Sequence, residues 1–153
     1  MTERTASEML AAFEEYAETA QKFAKPDMPL EFYIIGLLGE ESEYQCAARD
    51  EQANEAGDVL WYLAGVCTLL GFPREDQVRE LNGLSSYAPH GISEPVKKML
   101  YHGRVLELDT VRRNCGAMIA HFVGYYPGAM EENIEKLRKR YPTGYVDGGG
   151  VRE

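Results

Sequence analysis

The sequence predicts an all-α fold, a bundle of helices within a single domain. Apolar residues recur at intervals of three and four along most of the chain, which is the spacing of one helix face. Proline and glycine separate these stretches, as at Pro26, Pro29 and Gly71. We find no internal repeat and no convincing alternation of apolar and polar residues, which a half-buried strand would show. The 153 residues are enough for one hydrophobic core.

The first three helices are predicted with definite ends. The first begins with Ser7 as its N-cap and runs to about residue 24. The second begins at Pro29, since proline suits a first helical turn, and runs to about residue 49. Asp50 caps the third helix, which covers roughly 51–70 and ends at Gly71.

Shorter elements are predicted for the second half of the chain. They are a short helix at 74–82, a loop at 82–93, and helices at about 94–101, 105–124 and 129–140. Residues 1–145 are thus expected to form one domain. The glycine-rich residues 146–153 are expected to be a flexible tail.

Composition disfavours several classes of protein. The net charge of −9 disfavours binding to nucleic acid through a broad basic surface. No apolar run approaches the length of a membrane span, and the first residues show no secretory signal, so we expect a cytoplasmic protein. Cys46, Cys67 and Cys115 lie far apart and are expected to be buried free thiols.

Two pairs of acidic residues continue the apolar faces of successive helices. Glu40 and Glu43 are three residues apart and follow Leu37 on its stripe. Glu55 and Asp58 repeat this spacing on the third helix. If the two helices are antiparallel neighbours, the four carboxylates converge. The alternative is that they are surface residues paired with Lys or Arg, as is common for one such pair.

Four converging carboxylates would require a cation, because like charges raise one another's pKa and burial of a lone charge is costly. No histidine stands at the position that a di-iron bundle requires. Oxygen ligands suit Mg²⁺, Mn²⁺ or Ca²⁺, and Mg²⁺ commonly completes its shell with water and substrate phosphates. The pattern therefore points to phosphoanhydride chemistry.

The same residues resemble a known family. GLLGEESE followed by EAGDVLWYLAG is similar to the motifs of the MazG-type nucleotide pyrophosphohydrolases, members of the all-α nucleoside triphosphate pyrophosphatase superfamily. NIEKLRKRYPTGY resembles the segment that closes many members. The resemblance covers about 30–70 and 129–145, and residues 73–128 are unmatched. It implies hydrolysis of a nucleoside triphosphate to the monophosphate and pyrophosphate.

The resemblance also implies roles for individual residues. Mg²⁺, with Mn²⁺ as a possible substitute, would be held by the catalytic and metal-binding carboxylates Glu40, Glu43, Glu55 and Asp58. The substrate's phosphates would be bound by Asn133, Lys136 and Arg140. The implied assembly is a homodimer or homotetramer with its sites near the subunit boundary.

The residue that takes the proton from the attacking water is left open between the four carboxylates and Glu41. Glu41 lies about 100° from Glu40 around the helix and is expected to face solvent or support the site from outside, not to bind the metal. Trp61 and Tyr62 are expected in the core, with a base-binding wall as the alternative. The three histidines are expected to be structural or on the surface.

Two rival functions remain open at this stage. One is a related pyrophosphohydrolase on the same scaffold, with phosphoribosyl-ATP or a pyrimidine deoxynucleotide as its substrate. The other is a non-catalytic helical module that binds a nucleotide or a protein.

Overall fold

The computed structural model of the chain describes residues 4–78 and 87–146, and all regular secondary structure within these ranges is helical. The helices are α1 (Ala6–Ala20), α2 (Leu30–Cys46), α3 (Gln52–Leu70), α4 (His90–His102), α5 (Leu108–Tyr125) and α6 (Ala129–Arg140). Two short 3₁₀ turns lie at Gln21–Phe23 and Glu75–Gln77. The predicted all-α fold is confirmed. None of the described helices is both long and apolar enough to cross a bilayer.

The first helix begins earlier than the sequence analysis predicted. Thr5, not Ser7, is the N-cap: its hydroxyl accepts a hydrogen bond from the Glu8 amide at 3.1 Å. The Glu8 carboxylate in turn accepts one from the Thr5 amide at 3.3 Å. This capping box requires Glu or Gln three residues after the cap. Thr5 has that partner in Glu8, whereas Leu10 stands at the same position relative to Ser7.

Several other predicted boundaries are corrected. The second helix ends at Cys46 rather than near residue 49, and Glu51, not Asp50, precedes α3, without a side-chain cap. The expected helix at 74–82 is only the 3₁₀ turn Glu75–Gln77 as far as residue 78, since 79–82 lie outside the described residues. The fourth helix begins at His90, inside the predicted loop. Helix bounds are the least reliable part of any prediction from sequence pattern.

The predicted end of α3 and both predicted bounds of the last helix are correct. Gly71 is the C-cap of α3 with a φ of 96°, a left-handed conformation that glycine adopts without the strain a side chain would add. The last helix occupies 129–140 as predicted. Of the cysteines, Cys67 and Cys115 are buried free thiols, but Cys46 is exposed, which corrects that part of the expectation. The predicted tail lies outside the described residues beyond Val146.

Helix α3 lies at the centre of the bundle. It contacts α1, α2, α5 and α6, and it is apolar on most of its circumference. Val59, Leu60, Leu63 and Val66 are fully buried. A helix that is apolar nearly all round is expected in a protein interior, and α3 fits that rule.

Two glycine–tyrosine contacts fix how α2 lies against α3. The ring of Tyr62 covers Gly36 so closely that a Cβ at Gly36 would overlap it. The ring of Tyr33 covers Gly65 in the same way, one turn further along. The two helices are antiparallel, so each step forward along α2 corresponds to an equal step back along α3. Continuing one turn from these contacts brings Glu40 opposite Asp58.

This contact generates a stability prediction. Gly36→Ala should lower the free energy of unfolding by about 2 kcal/mol, or the Tm by roughly 4–8 °C, because the methyl group forces Tyr62 to move. Gly39→Ala is the matched control, since a Cβ there meets nothing within 4 Å and alanine favours the helix by up to about 1 kcal/mol. Urea and thermal unfolding measure both changes. Equal effects of the two substitutions would contradict the proposed register.

Candidate metal and phosphate site

Three of the four predicted carboxylates converge where α2 and α3 face each other. Glu40, Glu55 and Asp58 each offer one oxygen, and these oxygens all lie within 4.8 Å of one another. Glu40 comes from α2, while Glu55 and Asp58 come from the first half of α3. The glycine–tyrosine register therefore brings together acidic residues that are far apart in sequence. Such separations are short enough for one divalent ion to be shared.

Glu43 lies at the margin of this cluster. It is exposed, and its carboxylate is outside the three-way group. It nevertheless acts on the other members. Its charge raises the pKa of both Glu40 and Glu55. The structure therefore brings three of the four expected carboxylates together, and Glu43 lies outside this group, where its charge still acts on Glu40 and Glu55.

Burial and the neighbouring negative charges raise the pKa values of two carboxyl groups in this cluster. Burial is the main cause that raises the pKa of Glu40 to about 7, followed by the charges of Asp58, Glu43 and Glu55. Burial also raises the pKa of Glu55, again followed by the charges of Asp58 and Glu43. The Lys136 ammonium acts in the opposite direction on Glu55. In the absence of a bound cation, the cluster is thus held together against its own repulsion.

The oxygen atoms of this cluster fit a hard cation. Glu40 Oε2 and Glu55 Oε2 are buried and have no hydrogen-bond partner among the described residues. Buried polar atoms are nearly always paired, so two unpaired acceptors in one carboxylate cluster are unusual. An oxygen-only ligand set suits Mg²⁺, Mn²⁺ or Ca²⁺ rather than a soft metal. A cation shared by the three carboxylates would satisfy both oxygens and relieve the repulsion.

Asp58 is held from the side of α6. Lys136 Nζ lies 2.5 Å from Asp58 Oδ1. The Asn133 side-chain amide donates to the same oxygen at 3.4 Å. Asn133 is itself buried and accepts a hydrogen bond from the Tyr16 hydroxyl at 2.7 Å. Both contacts are to Oδ1, which leaves Oδ2 for a cation.

The carboxylates open into a cleft of about 420 Å³. Glu40 and Asp58 line one wall, and Asn133, Lys136 and Arg140 line another. The structure therefore places all three predicted phosphate-binding residues beside the carboxylates. Lys25, which the sequence analysis did not single out, also lines this cleft. In a chain of net charge −9, this grouping of cations is a local exception.

Aromatic rings form the remaining walls of the cleft. Phe32, Trp61 and Tyr62 pack edge to face or tilted against one another. Trp61 and Tyr62 are only half-buried, so the expectation of core positions is corrected in part: both rings also face the cleft. Tyr141 and Tyr145 form a stacked pair with centroids 6.4 Å apart and complete the lining.

Tyr141 and Tyr145 are functional candidates that sequence reasoning missed. The signal for them was present in the closing segment RYPTGY, directly after Arg140. Lys25 gave no comparable signal, because it lies beyond α1 in an irregular stretch that the fold brings to the cleft. A larger groove of about 570 Å³ lies between α1 and α6, and it contains no comparable carboxylate cluster within the described residues.

Glu41 faces a different network from the metal-binding candidates. Its Oε1 atom accepts hydrogen bonds from Gln45 at 3.0 Å and from the Tyr87 hydroxyl at 3.2 Å. Next to them, the Tyr44 hydroxyl bonds to His121 Nε2 at 3.2 Å and to the Tyr126 hydroxyl at 2.7 Å. Burial lowers the pKa of His121, which supports the expectation that this histidine is structural. Glu41 is thus half-buried, and its carboxylate connects α2 to Tyr87 instead of facing solvent.

Comparisons with models of known protein families, with curated proteins and with solved structures give no match to this chain. The chemistry of the site therefore has to follow from its own geometry. That geometry consists of a three-carboxylate cluster, adjacent cations and an aromatic wall around one cleft.

The raised pKa of Glu40 predicts how stability depends on pH. In a chelating buffer, unfolding returns this group to a pKa of about 4.5 from about 7 in the fold, so stability falls as pH rises between these values. Solvent screening of this partly exposed group limits the loss to about 1 kcal/mol. Glu40→Gln should abolish this part of the loss, whereas Glu18→Gln, an exposed control on α1, should retain it.

Chemical unfolding at pH 5 and pH 8 measures the difference. If Glu40→Gln and the wild-type chain lose equal stability between these pH values, the description of the cluster is wrong.

Proposed function

We propose that this protein is a Mg²⁺-dependent nucleoside triphosphate pyrophosphohydrolase of the MazG-like type, which releases a nucleoside monophosphate and pyrophosphate. The observation that carries the proposal is one cleft with three kinds of wall. Carboxylates at Glu40 and Asp58, cations at Lys136 and Arg140, and aromatic rings match the three parts of a magnesium nucleotide. The carboxylate cluster is also the feature that a simple binding module would have no need of.

Glu40, Glu55 and Asp58 would hold the metal, because their oxygens already lie within reach of one ion. When bound, Mg²⁺ would neutralise phosphate charge and lower the pKa of a water molecule. Glu43 is the acidic residue left over at the edge of the cluster. We assign to its carboxylate the acceptance of the proton from the attacking water. Water attacks the α-phosphorus, the bond from that phosphorus to the oxygen that bridges to the β-phosphate breaks, and pyrophosphate leaves.

The cations of α6 complete the charge balance. Lys136 bonds to Asp58 and lines the cleft, so its ammonium could also contact a phosphate bound there. Arg140 lines the same cleft and is in none of the ion pairs found among the described residues, and its guanidinium can bind a phosphate with two parallel hydrogen bonds. Transfer of a phosphoryl group depends mostly on positioning and electrostatic stabilisation, which is what these side chains supply.

The aromatic walls favour a nucleotide over an inorganic polyphosphate. Stacking of a base on an aromatic ring contributes about 1–3 kcal/mol and tolerates different bases. Trp61, Tyr141 and Tyr145 are among the rings that line the cleft and could stack on a base. Phosphoribosyl-ATP and the pyrimidine deoxynucleotides share this chemistry, so they belong in the panel of substrates to be tested.

The outer face of α2 supports a homo-oligomer. Ile35 is 70% exposed and Leu38 is 38% exposed, both on the side of α2 away from α3. A second copy of the chain would cover these apolar side chains. Because α2 carries Glu40, a dimer formed through this face would place the site near the subunit boundary.

Removal of a metal ligand should abolish the reaction without unfolding the protein. Glu55→Gln is expected to lower kcat at least 100-fold on a panel of triphosphates with Mg²⁺, measured by pyrophosphate release. Glu41→Gln is the matched control one residue from Glu40, and it should keep at least half of the activity because Glu41 bonds to Gln45 and Tyr87 instead. Pyrophosphate release that survives in Glu55→Gln would refute the assignment, as would binding of a nucleotide by the wild-type chain without any turnover.

The aromatic wall makes a separate prediction. Tyr145→Ala should raise KM for the preferred nucleoside triphosphate at least fivefold, because a stacking contact with the base is lost. Mg²⁺-tripolyphosphate has no base, so its inhibition constant for the Tyr145→Ala variant should equal that for the wild-type protein. Steady-state kinetics with and without this inhibitor give both values. If Tyr145→Ala weakened the binding of the nucleotide and of tripolyphosphate equally, Tyr145 would contact the phosphates instead of the base, which would contradict the proposed arrangement.

A further inference from the structure

A buried hydrogen bond connects α1 to the candidate site. The Tyr16 hydroxyl donates to Asn133 Oδ1 at 2.7 Å, across 117 residues of sequence. Tyr16 is 5% exposed and Asn133 is 4% exposed, so water does not compete for this bond.

The direction of this bond determines which way the Asn133 side chain points. An asparagine amide has an accepting end and a donating end, and its environment decides which end faces where. Because Oδ1 accepts from Tyr16, Nδ2 faces Asp58 Oδ1 at 3.4 Å. If the amide turned over, its carbonyl oxygen would face the Asp58 carboxylate and the two acceptors would repel each other.

The amide nitrogen of Asn133 can donate one more hydrogen bond. It carries two hydrogens, and among the described residues it has one acceptor, the Asp58 carboxylate oxygen at 3.4 Å. Asn133 also lines the cleft beside Lys136 and Arg140. A donor in this place suits a phosphate oxygen of an incoming substrate. An accepting carbonyl in the same place would suit a metal ion and repel a phosphate.

We propose that Tyr16 is a positioning residue for substrate binding: its hydroxyl holds the Asn133 amide with its N–H groups toward the cleft, where they donate to a phosphate oxygen of the substrate. This inference rests on the function proposed above. Tyr16 does not touch the substrate, and it acts through Asn133 alone. Its removal should therefore weaken binding of the triphosphate and leave binding of the metal unchanged.

Tyr16→Phe tests the proposal because it removes the hydroxyl and keeps the ring. KM for the preferred triphosphate should rise about tenfold, which corresponds to about 1.4 kcal/mol, while kcat and the Mg²⁺ affinity of the free protein should stay within about threefold. In an Asn133→Ala background, Tyr16→Phe should have no further effect on KM. An unchanged KM in Tyr16→Phe, or a full additional loss in the Asn133→Ala background, would overturn the proposal.

Tyr126→Phe is the matched control. It also removes a hydroxyl from a 2.7 Å bond, in this case with Tyr44 in the network around His121. A general effect of losing an internal hydrogen bond would appear in both variants. The proposal predicts a wild-type KM for Tyr126→Phe, and a rise equal to that of Tyr16→Phe would contradict it.

A measurement on the wild-type protein separates this proposal from the proposed function. The side-chain amide signals of Asn133 can be followed by NMR while Mg²⁺ alone, and then Mg²⁺ with a non-hydrolysable α,β-methylene triphosphate, is added. The nucleotide should shift these signals well beyond the change caused by Mg²⁺, whether or not any triphosphate is hydrolysed. Binding of the nucleotide without a shift at Asn133 would refute the role of Tyr16, whereas a shift without turnover would refute only the hydrolase.

Discussion

The close antiparallel contact of α2 and α3 is the constraint on which the site depends. Gly36 and Gly65 carry no side chain, so Tyr62 and Tyr33 can lie directly over the opposite backbone. These contacts permit one register of the two helices and exclude a slip by a turn. The acidic residues lie one turn beyond them on the same faces. The convergence of Glu40 and Asp58 is therefore a consequence of packing between apolar and small residues, and not of any attraction between the acidic groups.

The same packing creates an electrostatic cost that the rest of the site offsets. Burial and mutual repulsion raise the pKa values of Glu40 and Glu55, and two of their oxygens have no partner within the described part of the chain. Helix α6 supplies the nearest compensation through Lys136. A divalent ion would supply the remainder. A fold that places carboxylates in this way loses stability in the ion-free state, and such a loss is typical of functional sites.

Much of this arrangement could be predicted from the sequence, and the reasons are local. The spacing of Glu40, Glu43, Glu55 and Asp58 relative to the apolar stripes predicts the helix face on which each one lies. The end of α3 at Gly71 could also be predicted from local sequence, because a glycine after the last apolar residue of a stripe commonly ends a helix. Asn133, Lys136 and Arg140 share one face of a helix whose ends were correctly predicted.

What the sequence did not show depends on contacts between distant segments. The roles of Tyr16 and Lys25 at the cleft follow from how α1 and the stretch after it pack on α6, and no periodic pattern encodes such packing. Glu41 lies outside the carboxylate group as expected, but its contact with Tyr87 could not be predicted because the two residues are 46 positions apart. Thr5 was missed as a cap although its capping box is local, which shows that side-chain chemistry should be weighed before the position of the first apolar residue.

Location of a bound ion is the most direct test of the central claim. Crystals grown with Mn²⁺, as a substitute for Mg²⁺, would show its position by anomalous scattering. The account predicts a peak within about 2.3 Å of carboxylate oxygens from Glu40, Glu55 and Asp58 together, with ligands from both α2 and α3. A peak bound by residues of one helix only, or no peak at this cluster while Mn²⁺ is held elsewhere on the chain, would contradict it.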